Sequence, residues 1–175
     1  MVIIITGPSH VGKTYLASKL LAKYHYPYYS IDHLKMGLIR SGKTLLTPLD
    51  DDKLTSYLWP VVREIIKTAI ENEQDLIIEG CYIPFDFRLD FEKEYLKEIR
   101  LICLAMSKEY IMNHYDDIIE YSSVVERRMY EEITKEELIK DNEIVIKGFI
   151  KEKEEVTIID DNYLDILNNI IEKRI

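Results

Sequence analysis

Residues 1–14 read MVIIITGPSHVGKT, an apolar run followed by Gly7-Pro8-Ser9-His10-Val11-Gly12-Lys13-Thr14, which fits the spacing G-x-x-x-x-G-K-[ST]. Val2, Ile3, Ile4 and Ile5 are four β-branched residues in succession, the composition of a strand covered on both faces. After Thr14 the apolar period lengthens. Leu16, Leu20 and Tyr24, flanked by Ala17 and Leu21, recur along one side of a helix. Strand, glycine turn and helix in that order curl the backbone N–H groups of Ser9 to Thr14 around an anion at a helix N-terminus. In that geometry Gly7, Ser9, His10, Val11, Gly12, Lys13 and Thr14 cradle a di- or triphosphate. The Lys13 ammonium reaches the β- and γ-phosphates, and the Thr14 hydroxyl ligates Mg²⁺. His10 and Val11 stand at variable positions of the pattern, where the backbone does the binding.

The rest of the chain alternates strand and helix signals. Tyr26 to Ile31 reads as a short aromatic strand and Asp32 to Ile39 as a helix capped by Asp32; Ser41 to Asp50 reads as loop. Leu54, Leu58, Val61, Ile65 and Ala69 give the segment from Asp51 to Asn72 a helical stripe, with Pro60 as the expected kink. Residues 75–80 (DLIIEG) and 99–105 (IRLICLA) are buried-type strands separated by a weaker helical stretch, Phe85 to Lys97. Ser107 is placed to cap a helix running toward Tyr115, and Thr134 opens another with capping-box spacing. Val156 to Asp160 is the last strand. Tyr163, Ile166, Leu167, Ile170 and Ile171 form one face of a final helix. Five strands alternating with helices predict an α/β fold with a parallel sheet and helices on both sides. Ligands of such sheets lie beyond the carboxyl ends of the strands. That edge should gather the glycine turn, Asp32, Glu79 to Tyr82, and Asp160 to Asn162.

Composition narrows the partners. A chain of 175 residues suits one domain, 1–175, and no apolar run approaches the roughly 18–20 residues of a membrane span. The first strand begins at once with no basic leader, so no signal segment is expected and the expected compartment is the cytoplasm. A formal charge of −9 opposes binding to long nucleic acids, which requires a basic surface. The expected partners are a nucleoside triphosphate and a small-molecule acceptor, met by a monomer or dimer. Cys81 and Cys103 lack a C-x-x-C spacing and read as reduced thiols. The tyrosines around positions 24–29 are most cheaply explained as packing, and the run KEKEE at 151–155 as a solvated helix end.

With the glycine turn, YSIDHLKMGLIRSG around Asp32 and LIIEGCYIP around Glu79 in view, the chain resembles the small-molecule kinases of the P-loop superfamily. That group includes adenylate kinase, shikimate kinase, 2-phosphoglycerate kinase and the zeta-toxin kinases. The resemblance implies a three-layer α/β/α P-loop NTPase fold with a five-stranded parallel sheet. It also implies a helical acceptor-binding insertion, here 32–72, and a short lid, here 115–132. ATP is the implied phosphate donor and Mg²⁺ the implied metal. A carboxylate after the second strand commonly meets the acceptor in this group, and an acidic residue ending the third helps organise Mg²⁺. Asp32 and Glu79 stand at the matching places, and the Glu79-Gly80 pair is closer to the zeta-toxin and phosphoglycerate-type members than to adenylate kinases.

Phosphoryl transfer rests on positioning and charge neutralisation, so a carboxylate that orients the acceptor hydroxyl and takes its proton late suits Asp32. Arginine forks bind phosphate oxygens bidentately. The resemblance places phosphate-contacting arginines in the lid-like segment, so at least one of Arg127 and Arg128 is expected to close on the γ-phosphate. Arg40, beside Lys35 at the end of the post-Asp32 helix, and Arg88, after the Glu79 turn, are expected to face the acceptor, with the Tyr82 hydroxyl beside them. Two other readings fit the turn: a zeta-toxin-like nucleotide-sugar kinase, for which the insertions here are small, and a nucleotide-dependent switch or NTPase that is no kinase.

Overall fold

In the computed structural model, which describes residues 1–121 and 133–173, five parallel strands form one sheet in the order β2-β3-β1-β4-β5. These are β1 (Val2–Thr6), β2 (Tyr28–Ser30), β3 (Leu76–Glu79), β4 (Ile99–Met106) and β5 (Val156–Ile159). The helices are α1 (Lys13–Tyr24), α2 (Ile31–Arg40), α3 (Asp51–Glu71), α4 (Lys93–Leu96), α5 (Lys108–Glu120), α6 (Lys135–Lys151) and α7 (Tyr163–Glu172). Every strand pair is parallel, so the carboxyl ends of all five share one edge. The lid-like segment expected at 115–132 is described only as far as Tyr121, where α5 has just ended; residues 122–132 lie outside the described residues.

Two apolar layers cover the sheet. Alternation along β1 divides it: Val2 and Ile4 join Ile31, Leu54, Leu58, Val62, Ile66 and Phe87 on one face. Ile3 and Ile5 join Val11, Leu16, Leu20, Leu104, Leu138 and Leu167 on the other. With both faces covered, β1 has no exposed side chain, which is why its sequence is uninterrupted in β-branched residues. At the edge, β5 leaves Ile158 partly open to solvent.

Several local expectations hold. Ser107 accepts a hydrogen bond from the Tyr110 N–H, and Thr134 and Glu137 form a reciprocal capping box. All five apolar residues expected on α7 face the second layer. Others shift. The α3 stripe runs Leu54, Leu58, Val62, Ile66 and Ala69, leaving Val61 43% exposed and Ile65 half-buried, because that is the face that packs with Phe87 and Phe91 in the first layer. Pro60 lies on the solvent side of α3, and the helix continues through it. Asp32 sits inside the first turn of α2 instead of capping it, since the helix already begins at Ile31 and its N-cap is Ser30. The stretch 85–97 holds only a short 3₁₀ turn, Phe87–Asp90, and α4. Within the KEKEE run, Glu154 is largely buried and pairs with Arg88.

A polar anchor ties α6 to the carboxyl end of β4. Asn142, 1% exposed, accepts from the Met106 N–H at 2.6 Å and donates to the Leu138 carbonyl at 2.8 Å. Asn142→Ala strands the buried Met106 donor, and an unsatisfied buried N–H costs about 1–3 kcal/mol. Urea denaturation should therefore show a lower midpoint with an unchanged slope.

Candidate functional site

The turn between β1 and α1 bends through three residues with positive φ: Gly7 at 145°, His10 at 66° and Gly12 at 90°. For His10 that conformation carries strain of about 1–3 kcal/mol, a kind of cost that concentrates at ligand clamps. Val11 anchors the turn by burying its side chain completely. Lys13, 6% exposed, arches back over the turn and donates to the Pro8 carbonyl at 2.7 Å. The loop is therefore already closed into a ring at the N-terminus of α1, where the helix dipole and unsatisfied N–H groups favour an anion. Gly12 is needed for more than its φ. A Cβ there would overlap the hydroxyl of Tyr163, the first residue of α7.

Thr14 lies on the first turn of α1 with its hydroxyl 3.4 Å from Glu79 Oε2, across the gap between α1 and the end of β3. Glu79 is 1% exposed. Gly80 follows it and permits the close contact of this strand end with Ile31, against which a Cβ would stand 2.8 Å from the Ile31 Cβ. That contact sets the start of α2, and hence Asp32, beside the end of β3. Thr14 and Glu79 are oxygen donors of the hard kind that Mg²⁺ takes, usually with one or two protein ligands and several waters.

The acceptor-side residues form a chain of polar contacts. Asp32 Oδ1 pairs with the Lys35 ammonium at 2.5 Å. Lys35 donates to the Tyr82 hydroxyl at 2.9 Å, and that hydroxyl donates to Asp51 Oδ1 at 2.8 Å. Lys35 also lies over the Tyr82 ring, 4.9 Å from its centre. Burial pushes the Tyr82 hydroxyl well above the usual tyrosine range, and Asp51 and Asp32 push it further, so it stays protonated as the donor to Asp51. Three elements meet here: α2, the turn after β3 and the N-terminus of α3.

Of the site residues expected from sequence, the structure thus gathers Gly7, Ser9, His10, Val11, Gly12, Lys13 and Thr14 into the turn, links Glu79 to Thr14, and joins Asp32, Lys35 and Tyr82. It does not bring Arg40 or Arg88 to them. Arg40 ends α2, eight residues beyond Asp32 and so about 12 Å along the axis. Arg88 forms a fork with Glu154, one arm at 2.9 Å, on the segment between α6 and β5. Arg127 and Arg128 lie outside the described residues.

Three further residues escaped the sequence. Asp51 stands in an acidic run, Asp50 to Asp52, that the dipole at a helix start explains equally well. Ser30 is the register partner of Glu79 and 1% exposed; its hydroxyl has no hydrogen-bond partner among the described residues. Tyr163 packs its ring against the loop helix, and burial, with Tyr15 and Tyr110 nearby, pushes its hydroxyl up to about 12. No short-range pattern marks any of them.

No family model matches the chain, and no curated protein matches it in sequence. Solved structures do match its fold. A gluconokinase from Sinorhizobium meliloti 1021 is 15% identical and superposes with a TM-score of 0.57, covering 97% of this chain and 89% of that one. A deoxyadenosine kinase from M. mycoides, 13% identical, gives 0.54 over 99% and 98%. A shikimate kinase from Bacteroides thetaiotaomicron, 14% identical, gives 0.53 over 98% and 96%. The chain has the α/β/α fold these P-loop kinases share, with the five-stranded parallel sheet and helices on both faces.

The packing of Gly12 against Tyr163 generates a test. Gly12→Ala must both hold alanine at positive φ and displace the tyrosine hydroxyl, so stability should fall by about 1–3 kcal/mol and affinity for inorganic tripolyphosphate should drop. Adding Tyr163→Phe removes the overlap but not the backbone strain. Thermal denaturation with and without tripolyphosphate should show partial recovery in the double variant.

Proposed function

We propose that this chain is a P-loop phosphotransferase that moves the terminal phosphoryl group of MgATP to a hydroxyl or phosphate of a small acceptor. One observation carries the reading: the closed turn with Lys13 and Thr14 stands at the same sheet edge as the Asp32–Lys35–Tyr82–Asp51 chain, with Glu79 between them. A phosphate cradle beside a cluster of carboxylates is what an in-line transfer between two small molecules requires. The kinase names borne by the fold neighbours support the same class of reaction.

In this reading the turn amides and the Lys13 ammonium hold the β- and γ-phosphates, with Lys13 exchanging its bond to the Pro8 carbonyl for phosphate oxygens. Thr14 and Glu79 are the residues that would hold Mg²⁺, which supplies neutralisation of charge across the β- and γ-phosphates. Asp32 turns the acceptor oxygen toward the γ-phosphorus and receives the hydroxyl proton as the new P–O bond forms and the bond to the ADP oxygen breaks. Lys35, paired with it at 2.5 Å, keeps the Asp32 carboxylate aimed. Arg127 and Arg128 are the cations assigned to the transferring phosphoryl group, and the region 32–72 is assigned to the acceptor.

MgATP should raise the melting temperature of the protein. Ligand at 100 times its Kd adds about 2.7 kcal/mol of stability. Lys13→Ala should remove that rise and the turnover, whereas Asp32→Asn should keep the rise and lower kcat by about 10²–10⁴-fold. Full turnover by Lys13→Ala, measured as ADP release, would defeat the reading.

A further inference from the structure

Resting on the phosphotransferase reading, we propose that the acceptor is a neutral or positively charged hydroxyl compound, such as a polyol, sugar or amino alcohol, and not one bearing a carboxylate or phosphate. Recognition of an anion needs cations that are available to it. Lys35 is the cation at the centre of the acceptor side, and its surroundings already use it: Asp32 at 2.5 Å, the Tyr82 hydroxyl at 2.9 Å and the Tyr82 ring beneath it. The Tyr82 hydroxyl donates its one proton to Asp51, so it has none to offer an incoming anion. Two carboxylates against one ammonium leave this cluster negative.

Several cations on the neighbouring elements are engaged elsewhere or distant. Arg88 is forked onto Glu154, Arg63 pairs with Glu64 at 2.8 Å, and Lys53 pairs with Asp50 at 3.5 Å. Arg40 is about 12 Å down α2 from Asp32, beyond the screening length of roughly 8 Å at physiological salt.

The unpartnered Ser30 hydroxyl is the second, independent sign. It is 1% exposed, shares its side of the sheet with its register partner Glu79, and stands two residues before Asp32. A buried hydroxyl without a partner is costly unless a bound group completes it. A neutral hydroxyl, which both donates and accepts, matches it and the second oxygens of Asp32 and Asp51. A carboxylate or phosphate would meet carboxylates at close range instead.

The test uses the full chain and acceptors matched in size but not in charge: glucosamine, glucose and glucuronate, and ethanolamine, ethylene glycol and glycolate. Product is read by mass spectrometry, and MgATP binding is measured by calorimetry in the same preparations, with Lys13→Ala as the control. The expected result is transfer to cationic or neutral members, with kcat/KM at least about tenfold lower for the anionic ones. Asp51→Lys should shift that ratio about tenfold toward the anions, and Asp51→Asn, which keeps the shape, should shift it less. Intact MgATP binding with preference for the anionic members, with no transfer to any neutral or cationic member, or with a ratio unmoved by both Asp51 variants overturns the inference and leaves the phosphate site standing. Absence of MgATP binding overturns the phosphotransferase reading, and the inference falls with it.

Discussion

Everything at the carboxyl edge of the sheet depends on a turn that the backbone does not adopt cheaply. Between Gly7 and Gly12 the chain takes positive φ three times, once at a histidine. Such a turn persists because its flanks are over-determined. β1 is buried on both sides, Val11 is locked into the core, Tyr163 closes against Gly12, and the Lys13 ammonium bridges to the Pro8 carbonyl. Strain held this way keeps the amides at the start of α1 converging on one point without waiting for a ligand, and lowers the ordering cost of binding one.

The same edge divides into two electrostatic halves. On the α1 side stand the helix dipole, the turn amides and Lys13, a positive end tempered by Glu79 at the point where Thr14 approaches it. On the α2 and α3 side, carboxylates outnumber the ammonium they share. Charge of opposite sign thus gathers at two places along one sheet edge. The same chain of contacts also fixes geometry: Lys35 and Tyr82 tie Asp32 and Asp51 to one another and so join three elements of different sequence origin.

Much of this was legible before the structure because the signals are local. Four β-branched residues, a glycine spacing and a change to helical period sit within 24 residues, and each is an independent physical requirement of the same unit. Capping residues Ser107 and Thr134 act within one turn, and they hold. The α3 stripe shows where locality ends. Steps of three or four residues satisfy helical periodicity equally, so Val61 and Val62 are interchangeable by pattern, and only the packing of the helix on the layer that holds Phe87 chooses Val62. Arg88 shows it again, for its partner Glu154 is 66 residues away in a run of charges that looks solvated.

By itself, then, the order of residues decided the class of fold, the glycine turn and the carboxylates at the strand ends, because hydrophobic period, glycine conformation and strand ends are properties of short segments. The tertiary structure alone decided which charges meet. It drew Asp51 to Tyr82 and set Ser30 beside Glu79, while it carried Arg40 and Arg88 away from both. Charge pairing across elements falls steeply with distance, and those distances come from how the α2 and α3 helices pack on the sheet, which no spacing along the chain encodes.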